Sequence, residues 1–186
     1  MGRFADIFKC AVAVVFLMVG YSLPVLAQEA DIDQLLSDLS DPKTENWQLV
    51  ERQLRTAWSK SGSASMDLLL QRGEKALEDE DYDLALEHLT ALTDHAPEFA
   101  EGWNAQATAF FHQKMSGPAM EDVGRALALN PKHFGAMTGL AVILQDVGMR
   151  REALEVWRMV EAVHPHRPEM IEAIDALEAL VGGQRL

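Results

Sequence analysis

The side chains best suited to chemistry in this chain are six histidines, one cysteine and a large surplus of carboxylates. A zinc site needs three or four ligands brought to one point, usually His or Cys at short fixed spacings on one helix face. His164-Pro-His166 is the one close pair, His88, His95, His112 and His133 are scattered, no His-x3-His spacing occurs, and Cys10 lies near the N-terminus. The histidines therefore read as surface or turn residues, and no metal is expected. Asp79-Glu-Asp-Tyr-Asp83 starts like a calcium-binding loop, but that loop requires Gly where Leu84 stands and Glu where Thr90 stands. It reads as an acidic turn. The chain also lacks a Gly-x-Ser-x-Gly elbow, a Gly-rich phosphate loop and a His-Glu-x2-His helix. Carboxylates spread over helices without a pocket are solvated faces, so neither catalysis nor a cofactor is expected.

Composition bounds the elements that carry these side chains. Of 186 residues, 48% are hydrophobic and 24% charged, enough apolar material for one compact domain. Few aromatic residues against many Ala, Leu and Glu favour helices over sheet, and the fold class expected is all-α. Residues 1–27 read as an export signal: Arg3 and Lys9 precede the apolar run from Ala11 to Val19, and Pro24 and Val25-Leu26-Ala27 follow. Cleavage is expected after Ala27, which places the protein in the periplasm; the alternative is a retained membrane anchor, since no charge falls between Lys9 and Glu29. Cys10 has no Leu-small-small sequence before it, so a lipoprotein has little support. Losing Arg3, Lys9 and Asp6 leaves 14 basic and 28 acidic residues, a net charge of −14. Such a field repels a phosphate backbone and argues against nucleic acid as a partner. The remaining chain has no cysteine, so its stability comes from packing and not from disulfides.

Pro97, Pro131 and Pro165 are 34 residues apart twice running, and the same step aligns Gly73 with Ala107 and Ala141, and Ala85 with Ala119 and Ala153. Bulky Leu69, Trp103 and Met137 also align, as do Leu89, Val123 and Trp157. Two antiparallel helices approach closely only where one carries a very small side chain and bulky neighbours fill the space beside it. Each proline follows the end of a second helix and opens the next unit, because it cannot continue one helix but fits the first turn of another. The unit is a helical hairpin.

This pattern resembles the tetratricopeptide repeat family, whose motif runs Trp-x2-Leu-Gly-x2-Tyr and then Ala, an apolar or aromatic residue, Ala and Pro. The middle unit fits best, with Trp103, Ala107, Phe110, Ala119, Ala126 and Pro131 in register, although Gln106 replaces the usual Leu and Val123 the usual aromatic. The first keeps Gly73, Tyr82 in the turn between its helices, Ala85 and Pro97; the third keeps Ala141, Gly148 in the turn, Ala153 and Pro165. The resemblance implies a right-handed α-solenoid of three hairpins at about 66–99, 100–133 and 134–167. Residues 168–181, with Met170, Ile174, Leu177 and Val181 on one side, form a closing helix, and the repeat domain occupies 66–186. Residues 28–65 form an N-terminal extension. In it Asp31 to Leu39 form a short helix, and a second, starting at Asp41-Pro42 and carrying Trp47, Val50, Leu54 and Trp58, packs on the first hairpin. Ser61 to Ser65 form the joint. The stretch from Trp58 to Leu70 is also similar to one in small secreted repeat proteins of α-proteobacteria, which implies a Gram-negative periplasm.

In this family the first helices of successive units line a concave groove that receives a peptide. By position, that groove would carry Asp67, Leu70, Glu74, Leu77 and Glu78; then Glu101, Asn104, Thr108, Phe111 and His112; then Thr138, Val142, Gln145 and Asp146. Its middle is apolar and its surround acidic, which suits a protein partner with basic and apolar side chains. The carboxylates could equally serve only to keep the groove solvated. Some family members clamp a C-terminal carboxylate with Lys, Asn and Arg, but the corresponding positions here carry Leu70, Glu74, Ala105, Gly135 and Gly139. An acidic peptide end is therefore not expected. The function that follows is a non-enzymatic binding module, a periplasmic adaptor or scaffold. The alternative is a structural or oligomerising element of the envelope, with Trp47 and Trp58 or the C-terminal helix as its contact surface. Whether the groove takes a partner or the chain's own N-terminal segment stays open.

Overall fold

The computed structural model describes residues 31–182, so the expected signal segment lies outside the described residues. Among them are nine helices and no strand: α1 (Ile32–Ser40), α2 (Trp47–Trp58), α3 (Ala64–Glu78), α4 (Tyr82–His95), α5 (Ala100–His112), α6 (Ser116–Leu129), α7 (Phe134–Asp146), α8 (Arg150–Val163) and α9 (Pro168–Gly182). The chain is all-α, and α3–α4, α5–α6 and α7–α8 form three hairpins that stack in order, with α9 closing on α8.

The small residues sit where the packing argument puts them. Ala85, Ala119 and Ala153 are fully buried, and a Cβ added at Gly73 would lie 2.5 Å from the buried Leu89 side chain. Trp103 fills the space beside Ala107, donates its Nε1–H to the carbonyl of Pro97 at 2.8 Å, and carries the Arg125 guanidinium 4.4 Å above its ring. Tyr82 is the first residue of α4 and not a turn residue, because Asp81 caps that helix by accepting from the Leu84 amide.

Each first helix ends in the same way. Glu80, Lys114 and Gly148, again 34 residues apart, have φ of 58°, 63° and 82°. Their amides donate to Leu77, Phe111 and Gln145, and the next amides, of Asp81, Met115 and Met149, reach back to Ala76, Phe110 and Leu144. These paired bonds satisfy carbonyls that the helix end leaves open. The left-handed conformation they require is free for Gly148 and costs the other two residues.

The N-terminal extension departs from expectation twice. Asp41-Pro42 makes a turn and not a helix start, with the Asp41 carboxylate accepting from the Lys43 amide at 2.9 Å, and α2 begins only at Trp47. Nor does α2 pack on the first hairpin: it lies across the chain's other end, where Leu36, Leu39, Val50 and Leu54 bury Phe134 and cover Val163. Trp47 stacks on His166 at 5.6 Å and Trp58 on His133 at 4.8 Å. The apolar stripe of α2 finds its match in side chains at the entry to α7 and the exit from α8. Glu51, at the centre of α2, accepts from His164 at 3.1 Å and from Arg167 and Arg55. The chain then returns through Ser61, whose amide and hydroxyl bond Asp67 at the start of α3. So α2 and its linker form a strap from the turn after unit three back to unit one. His133 and His164 stand in the turns before α7 and after α8, as read, but are buried beneath the strap and not on the surface; aromatic contacts and one carboxylate each (Glu101 and Glu51) offset part of their desolvation, while Nδ1 of His164 has no hydrogen-bond partner.

Burial of Glu51 would raise its pKa, but the bonds from His164, Arg55 and Arg167 and the charge of Arg167 outweigh it and hold the group at about 2. A depressed carboxylate contributes stability above its unfolded value that is lost as pH falls through its folded one. Glu51→Gln should therefore lower stability at pH 7 by about 3 kcal/mol, since it leaves Arg167 with only the more distant, exposed Glu169. Measured by denaturant unfolding with tryptophan fluorescence, the gap between wild type and variant should close between pH 4.5 and 2. At the helix ends, Lys114→Gly should raise stability by about 1 kcal/mol. Gly73→Ala should lower it by about 1–3 kcal/mol, because Leu89 has to move. Thermal unfolding followed by circular dichroism measures both.

Candidate partner-binding groove

The groove surface comes from α3, α5 and α7, the first helices of the three units, laid side by side by their hairpin partners. α5 and α7 hold a pocket of ≈130 Å3 lined by Asn104, Ala107, Thr108, Phe111, Val123, Gly139, Val142 and Ile143. Ala107, Val123 and Ile143 are its buried floor, and Asn104, Thr108, Phe111 and Val142 its more accessible rim. The recess lies where Ala107 and Gly139 contribute almost no side chain.

The fourteen residues expected to line the groove take different places. Asn104, Thr108, Phe111 and Val142 meet at the pocket, while Glu74 and Glu78 stand exposed on the neighbouring α3. Leu70 is 2% exposed and belongs to the core of unit one, whereas Leu77 is half-buried beside it. Asp67 is engaged by Ser61, which holds its carboxyl below the ordinary aspartate range. Glu101 accepts from His133 at 2.8 Å and from Asn104 at 2.8 Å, so it ties α5 to α7 and orients the Asn104 amide. Gln145 is taken by the indole N–H of Trp157 at 2.7 Å, and His112 stacks flat on Tyr82 at 4.9 Å. Thr138 is half-buried, with a buried hydroxyl oxygen that has no hydrogen-bond partner, and Asp146 is exposed.

The electrostatics are one-sided. Glu74 reaches solvent, yet desolvation by the protein around its carboxyl, with Glu101 and Glu78 nearby, raises its pKa, and Arg55 of the strap offsets this in part. Outside the groove, burial pushes Asp122 in α6 up to about 6, and one of its carboxylate oxygens is buried without a partner. Among the described residues no group of three or more His, Cys, Asp or Glu side chains could hold a metal, and no helix is long and apolar enough to cross a membrane.

The reading from sequence missed the strap residues, among them Glu51, His133, His164 and Arg167. A signal existed: a helix with two tryptophans on its apolar stripe, and a carboxylate within that stripe, needs a partner surface holding both aromatic groups and cations. His164-Pro-His-Arg167 is a segment that offers these together, as is Lys132-His133-Phe134.

No family model matches the chain. It is 32% identical over 157 residues to a TPR repeat-containing protein of Rhizobium etli, an alignment that covers 83% of this chain and 76% of that one. The first TPR of Spaghetti, solved with an HSP90 peptide, superposes with a TM-score of 0.62 at 22% identity over 64% of this chain and 95% of that one. A MamA structure superposes with a TM-score of 0.55 at 17% identity, covering 81% of this chain and 80% of that one. With a 34-residue period seen both in sequence and in three stacked hairpins, and a relative aligned along most of both chains, the chain belongs to the tetratricopeptide repeat family.

Proposed function

We propose that this chain is a non-enzymatic protein-binding module, exported to the periplasm, that receives a partner segment along α3, α5 and α7 as an adaptor or scaffold of the cell envelope. The observation that carries the reading is the pocket between α5 and α7, an apolar recess with an oriented amide at its rim and exposed carboxylates on the next helix. Apolar recesses with a few placed polar groups are where binding energy concentrates. Export rests on the sequence of residues 1–27.

Structural neighbours support the general class but not the same ligand. Spaghetti's first TPR binds the HSP90 peptide SRMEEVD, and a Sti1 domain of yeast was solved in complex with pHsp70. SRMEEVD ends in acidic residues, whereas this groove is itself acidic and has Leu70, Glu74, Ala105, Gly135 and Gly139 at the clamp positions. The partner favoured here is basic and apolar. As for assembly, Trp47 and Trp58 are occupied inside the strap, which leaves α9, with Ile171 and Leu180 exposed, as the surface that could serve it.

Reversing Glu74 and Glu78 together to Lys should leave helix content unchanged and reduce crosslinked capture of the envelope partner by about tenfold or more. Equal capture by both proteins would sink the groove reading. The mature protein isolated from the envelope should begin at Gln28; a chain that keeps residues 1–27 would replace periplasmic release with membrane anchoring.

A further inference from the structure

Two helix-interior glycines in the groove-forming helices lack a side chain for opposite reasons. At Gly73 a Cβ would strike Leu89 at 2.5 Å, so packing requires the glycine. At Gly139 in α7 the nearest atom to an added Cβ is Val123 Cγ2 at 3.9 Å, which is ordinary contact. Glycine inside a helix is disfavoured relative to alanine, and nothing in the fold of α7 calls for it at 139. Gly124 of α6 is equally unconstrained but opens onto solvent, where its missing side chain makes no recess. Gly139 instead lines the ≈130 Å3 pocket. Its missing side chain, together with the short one of Ala107, leaves the pocket open.

We propose that Gly139 keeps this pocket open for a single aliphatic or aromatic side chain of a partner protein segment, and that the same segment carries a Lys or Arg that meets Glu74 and Glu78. The proposal rests on the reading of this face as a binding groove and names the chemistry it selects. Charge complementarity identifies the occupant: the chain carries a net charge of −13, and Glu74 and Glu78 stand exposed one helical turn apart on α3, with Glu101 on the neighbouring α5. The strap shows the same pairing within the molecule. Trp58 lies against His133 and Phe134 while Arg55, one helical turn earlier, bonds Glu51. A segment with an apolar anchor and a cation three or four residues away would repeat that arrangement at the pocket.

The test is selection of a random twelve-residue peptide display library on the full chain, with affinities measured against wild type, Gly139→Ala and Gly139→Leu. The enriched peptides should share one Leu, Ile, Met or Phe with a Lys or Arg within four residues. They should bind Gly139→Leu at least about tenfold more weakly, with Gly139→Ala between. Both variants should melt at or above the wild-type temperature, which shows that lost binding is not lost folding. No enrichment, an enriched motif without the apolar and basic pair, or equal binding to Gly139→Leu would overturn the proposal. So would a concentration-dependent dimer that Gly139→Leu dissolves, since the pocket would then belong to a second copy. A partner captured from the envelope and lost on Glu74 and Glu78 reversal, but retained by Gly139→Leu, overturns the pocket alone. Capture indifferent to both sets of changes overturns the groove reading as well.

Discussion

Two antiparallel helices can touch only where a side chain is nearly absent, and the units of this chain are built on such places. Gly73 against Leu89 is the tightest, and the fully buried alanines at 85, 119 and 153 repeat the arrangement from the second helices. Close approach sets the angle within a hairpin, the hairpin sets which face of its first helix is left over, and stacking aligns the leftover faces into a groove. The groove is thus a by-product of core packing, and its side chains are free to vary. That freedom lets the same fold accept an acidic peptide in one protein and present carboxylates of its own in another.

The strap adds something a repeat array does not supply by itself. In a solenoid each unit contacts only its neighbours, and the ends are independent of each other. Here Glu51 is held by His164 and Arg167, while the linker that follows its helix is bonded to Asp67 at the start of unit one. The first and last units are therefore joined through one helix, and a change in the curvature of the array would have to break that helix's contacts. The buried histidines are part of the same joint. Burial pulls His164 below the ordinary histidine range despite its bond to Glu51, so the joint is made with a neutral imidazole at neutral pH.

How much of this was legible in the sequence follows from how local each cause is. The hairpins were legible because prolines and small residues recur with a fixed period, and each acts on its own unit. The closing helix was legible from its single apolar stripe, which Met170, Ile174 and Leu177 bury. The placement of α2 was not, since an amphipathic stripe specifies that a helix must pack but not against what. The matching surface was assembled from Phe134 and Val163, residues on different helices that periodicity never brings together. The shared face of α3, α5 and α7 was expected as a set of positions, but the state of each was not legible: Leu70 is in the core, and Asp67, Glu101 and Gln145 are engaged by partners that no spacing rule reveals. The pocket itself reflects an absence at Gly139, and only coordinates distinguish a glycine that packing demands from one that leaves a space.

The strap also fixes an order of events in making the molecule. Glu51 and His164 are 113 residues apart, and chains emerge N-terminus first. For most of synthesis α2 carries its tryptophan stripe with no surface to receive it, while the hairpins that follow can form one after another. His133 and Phe134 receive Trp58 first, and only when the segment from Val163 to Arg167 is complete does Trp47 gain its seat. The helix made almost first is thus among the last to settle, and a chain that stops short of the third unit is left with an uncovered apolar face at its start.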